Sequence, residues 1–61
     1  MSISERIKKE LKEIEDRWNI KSRSEAQEIM VEYVSKGMTP DNKYNSAIIY
    51  ITFDIIIETK N

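Results

Sequence analysis

The sequence predicts an α+β fold: two amphipathic helices followed by one C-terminal strand, in a single domain spanning residues 1–61 that pairs with a second copy. Three observations predict it. Apolar residues recur at helical spacing over about 3–18 and again over about 23–36. Each of these runs opens with a serine followed three residues later by a glutamate, the offset of a capping box. Residues 47–59 then change character, with an apolar residue at every second position and enrichment in β-branched and aromatic side chains.

In the first run Ile3, Ile7, Leu11, Ile14 and Trp18 are spaced four, four, three and four, so they lie on one face of a helix. Charged residues fill the opposite face. Ser2 and Glu5 place the helix start near Ser2. Glu5 with Lys9, Lys12 with Asp16 and Glu13 with Arg17 stand four apart, and each pair is expected to add a few tenths of a kcal/mol. Mixed charge of this kind reads as a solvated face, and Trp18 reads as a core or dimer-seam aromatic at the end of the stripe.

Asn19, Ile20 and Lys21 break the periodicity, after which Ser22 and Glu25 repeat the capping offset. Ala26, Ile29, Met30, Tyr33 and Val34 form the second apolar stripe. Gly37 stands just past Lys36, where helices commonly end in a left-handed residue. Residues 37–45 read as a turn because they hold Pro40, Asp41 and Asn42.

In the last segment Ile49, Ile51, Phe53, Ile55 and Ile57 would line one apolar strand face, leaving Tyr50, Thr52, Asp54, Ile56 and Glu58 outward. A helix competes for the same residues and would make the fold all-α with three helices. Thr39 could cap it, Pro40 suits a first helical position, and Tyr50, Asp54 and Glu58 would form one polar stripe.

Composition narrows the function. A chain of 61 residues buries only about 60% of the surface its unfolded form exposes, so association is the expected source of further burial. With no Cys and no His there is no disulfide, no ordinary zinc site and no nucleophile–histidine pair. Gly37 is the only glycine, which excludes a glycine-rich phosphate loop, and no spacing matches a calcium loop. An enzyme is therefore not expected, and neither a catalytic residue, a metal nor a cofactor is assigned. Net charge is −1, and residues 1–38 hold eight basic and eight acidic side chains, unlike the basic footprint of nucleic-acid binders. The first 17 residues carry no secretory pattern, and residues 47–57 are too short and too interrupted to span a bilayer, so a cytoplasmic location away from membranes is expected.

The run Asn19, Ile20, Lys21, Ser22, Arg23, Ser24, Glu25, Ala26, with the stripe continuing to Val34, resembles the inter-helix turn and second helix of ribbon-helix-helix repressors, particularly the nickel-responsive and related members. The resemblance covers about residues 3–36. It implies a dimeric, DNA-binding transcription regulator in which Ser22, Arg23 and Ser24 hold a DNA phosphate at the start of the second helix. Members of that family begin with a strand that forms the base-reading ribbon, whereas here only Met1 to Ile3 precede the first helix. The C-terminal segment would have to supply the ribbon by permutation, with Tyr50, Thr52 and Asp54 on its base-reading face. Acidic residues on such a face match phosphate-flanked DNA poorly. The alternative expectation is a protein-interaction module, an antitoxin-like or phage-type inhibitor on the same scaffold that covers a partner without binding DNA. A peripheral membrane role for residues 48–57 is disfavoured because no basic residues flank them.

Overall fold

A computed structural model describes residues 2–60, with side chains to residue 59, and contains three helices in the order α1 (Ile3–Trp18), α2 (Arg23–Ser35) and α3 (Asn42–Lys60). The described residues form no strand, so the expected α+β architecture gives way to the all-α alternative.

α1 and α2 form where the local signals placed them. The Ser2 hydroxyl accepts the Glu5 N–H at 3.2 Å, and the Ser22 hydroxyl accepts the Glu25 N–H at 3.2 Å. Each bond satisfies a backbone donor that the first helical turn leaves free. α1 ends at Asn19, which adopts the left-handed conformation (φ 57°, ψ 37°). Asn tolerates that region better than most residues. α2 ends in a Schellman arrangement: Gly37 at φ 64° lets its own N–H reach the Val34 carbonyl at 3.2 Å, and the Met38 N–H reaches the Tyr33 carbonyl at 2.9 Å. The expected ion pairs along α1 do not form. Lys36 with Glu32, at 2.8 Å, is the pair four apart that does, in keeping with the small worth of exposed pairs.

The correction at α3 has a physical cause. Its residues satisfy a period of two and a period of 3.6 almost equally, because most of them are apolar. A lone strand would need a second strand to take its amides and carbonyls, and the described residues offer none, whereas a helix satisfies them within itself. Asp41 rather than Thr39 starts the helix: its carboxylate accepts the Tyr44 N–H at 3.0 Å and its carbonyl accepts the Asn45 N–H at 2.9 Å. The turn accordingly shortens from the expected 37–45 to residues 36–41.

α3 is the centre of the fold, packing against both α1 and α2, which do not pack on each other. A helix in that position needs apolar residues on more than one side, which Ala47 and Tyr50 in the core and the partly buried Ile51, Phe53, Ile56 and Ile57 provide. The core gathers Ile7 and Leu11 from α1, Ala26 from α2, and Ala47 and Tyr50 from α3. Ile20, from the turn between α1 and α2, is the largest fully buried side chain, at 1% exposure. The apolar stripe of α2 is only partly used: Ala26 and Tyr33 are buried, while Val34 is 72% exposed. α2 runs antiparallel to α3, since Arg23 at its start meets Asp54 and Glu58, and Tyr33 near its end meets Asp41.

The molecule is extended, 39 × 21 × 16 Å, with a radius of gyration of 11.9 Å against roughly 10.5 Å expected for this length. Its accessible surface is 4535 Å², about a tenth above the ~4,100 Å² expected for a compact monomer of its mass. The excess reflects an arrangement in which one helix serves as the core for two others. Large apolar side chains remain in solvent as a consequence, among them Val31, Val34, Ile48 and Ile55.

Candidate functional site

The residues singled out by the sequence lie at the start of α2 and in the middle of α3, and the fold joins the two sets through Arg23 and Asp54. Ser22 is the N-cap of α2, and beside it the Lys21 N–H donates to the Glu25 carboxylate at 2.6 Å, so the helix start is closed by its own residues. Arg23 comes next and points to α3. Its Nη2 donates to the Glu58 carboxylate at 2.7 Å, and its Nε stands 3.4 Å from the Asp54 carboxylate. Ser24 is exposed. Counted by formal charge, Lys21 and Arg23 face Glu25, Asp54 and Glu58, so this neighbourhood is net acidic by one.

Tyr50, Thr52 and Asp54 do not form a ribbon face, because α3 is a helix and separates them. Tyr50 and Asp54, four apart, turn toward the other helices, and Thr52 turns to the opposite side. Tyr50 is buried at 4% exposure and its hydroxyl donates to the Glu15 carboxylate of α1 at 2.8 Å. Burial, reinforced by the Glu15 carboxylate, pushes its phenol up to about 12. The Thr52 hydroxyl donates back to the Ile48 carbonyl at 3.0 Å. Base readout from these three residues is thus replaced by an inter-helix bond, a self-satisfied hydroxyl and an ion pair.

A second polar cluster, which sequence reasoning missed, joins α2 to the start of α3. The Tyr33 hydroxyl lies 3.1 and 3.0 Å from the two Asp41 carboxylate oxygens, and its ring packs against Tyr44 with centroids 5.5 Å apart. The Tyr44 backbone N–H, more than any other group, holds the Asp41 carboxyl below its usual range. Burial, then the hydrogen bond to Asp41, raises the Tyr33 phenol. The signal available in the sequence was the Pro40-Asp41-Asn42 turn, where an aspartate commonly caps the next helix.

A groove of about 590 Å³ lies between α1 and α3, floored by Ile14, Trp18 and Ile49 and rimmed by charged residues of α1. It is wide open, and no buried side-chain nitrogen or oxygen among the described residues lacks a hydrogen-bond partner. Trp18 packs against the core as the sequence suggested. No group of three or more Asp or Glu side chains converges on a metal-sized site among the described residues. None of the described helices is long and apolar enough to cross a membrane. No protein-family model matches the chain, and no curated protein or solved structure matches it either.

Proposed function

We propose that this protein is a non-catalytic helical interaction module, working as a dimer or against a protein partner rather than on DNA. The observation that carries the reading is the apolar surface left open on α2 and α3, where Val31 is 67% and Val34 is 72% exposed in a chain whose surface already exceeds that of a compact monomer. The DNA-binding reading loses its two supports. The segment expected to enter the groove as a ribbon is helical, and the Arg23 guanidinium already faces two carboxylates that would repel a phosphate.

The deciding experiment is a gel shift of the full chain with random duplex at low salt. No retardation is expected up to tens of micromolar protein. Retardation that weakens with salt and is lost in Arg23→Ala, with helicity retained, would overturn the reading in favour of a DNA-binding regulator.

A further inference from the structure

The exposed side of the α2–α3 pair that lies away from α1 carries no charged side chain along its length, although charged residues make up 34% of the sequence. On α2 it consists of Ser24, Gln27, Val31 and Val34, all exposed and spaced three, four and three. On α3 it consists of Asn45, Ile48, Thr52, Ile55 and Thr59, all exposed and spaced three, four, three and four. Alternating steps of three and four form the seam of a helix that packs against other helices.

The two seams share one side of the molecule. At 100° per residue the seam residues of each helix are rotated by about a third of a turn from the side that meets the other helix, centred on Ala26 in α2 and Ala47 in α3. Because the helices are antiparallel, these rotations run in the same spatial direction. The Tyr50–Glu15 bond places α1 on the other side.

The geometry points to this face as the contact between two copies of the chain, joined about a two-fold axis so that two α2–α3 layers form a four-helix bundle with α1 outside. The assignment rests on the interaction-module reading and names its partner. Three features favour a second copy. An uncharged face can neither steer nor select a charged partner, and it brings no like charges together when it meets itself. The Thr52 hydroxyl donates to the Ile48 carbonyl and the Thr59 hydroxyl to the Ile56 carbonyl, each at 3.0 Å, so both can be buried without a donor left unpaired. The area also suffices. With 13 and 19 residues in the two helices, the face is about 20–28 Å long and two helices wide, which gives roughly 500 Å² per copy and about 1,000 Å² in total, the lower bound for a specific interface.

The test is sedimentation equilibrium on the full chain and on Val34→Lys and Ile55→Lys, with helicity followed by circular dichroism. Both positions are exposed in the single chain, at 72% and 43%, so neither lysine disturbs the fold of one copy. The expected result is a dimer for the unaltered chain at tens of micromolar, and self-association weakened by roughly a hundredfold or more in each variant, because a two-fold contact buries each new charge twice. Glu13→Lys, on the groove rim of α1, leaves the dimer intact. A monomeric unaltered chain, or helical variants that stay dimeric, would overturn the assignment. Should a variant lose its helices, spin labels decide. The chain has no cysteine, so labels at Thr52→Cys report a shorter inter-copy distance than labels at Lys12→Cys if the face is the contact. The reverse order overturns it. A monomer that also ignores DNA removes only the second copy as partner, whereas DNA binding removes the interaction-module reading beneath it.

Discussion

Replacing Ile20 by alanine should come close to unfolding this protein. Ile20 sits in the turn between α1 and α2, yet it is the largest fully buried side chain, packed with Ile7, Leu11, Ala26, Ala47 and Tyr50. Alanine removes three carbons, which at about 0.8 kcal/mol per buried methylene costs ~2.4 kcal/mol in transfer alone. A cavity that fails to collapse adds to this, bringing the total to roughly 3–4 kcal/mol. A domain of this length has only about 3–9 kcal/mol in all. Urea unfolding monitored at the helical circular-dichroism band, at one fixed protein concentration, measures the difference. A loss below ~1 kcal/mol would show that Ile20 is not wedged between the three helices and would refute the packing described.

Tyr50 gives a pH signature. Burial and the Glu15 carboxylate push its phenol up to about 12 in the fold against about 10 unfolded, so the stability it contributes is complete below pH 10 and is lost as pH rises from 10 to 12, by roughly 2–3 kcal/mol at most. Tyr50→Phe should flatten that decline, and urea midpoints falling in parallel for both proteins across pH 9–12 would sink the assignment. Ser22→Ala should cost about 1 kcal/mol by unpairing the Glu25 N–H, and thermal unfolding of the two proteins side by side would expose an unchanged midpoint if the cap were idle.

Part of the uncharged α2–α3 face was legible in the sequence and part was hidden by the period chosen for it. Ile48, Thr52, Ile55 and Thr59 recur at steps of four, three and four, but a strand reading sends Thr52 and Ile55 to opposite faces and dissolves the seam. Val34 was legible as apolar, but not that the α2–α3 packing would leave it in solvent. The run Lys21 to Glu25 was legible as a helix start. Its arginine's partners were not, because Asp54 and Glu58 lie more than thirty residues away in the chain.

α1, α2 and their ends are set by local signals. Capping serines, glutamates in the first turn, Asn19 and Gly37 act through bonds between residues at most five apart, and such bonds form wherever the segment goes. Residues 42–60 take their conformation from long-range packing. An almost wholly apolar segment suits either regular conformation, and the choice falls to whatever can take its backbone hydrogen bonds and cover its sides. Here the described residues supply no partner strand but do supply two amphipathic helices, so the segment satisfies its backbone within itself and becomes the helix on which the other two pack.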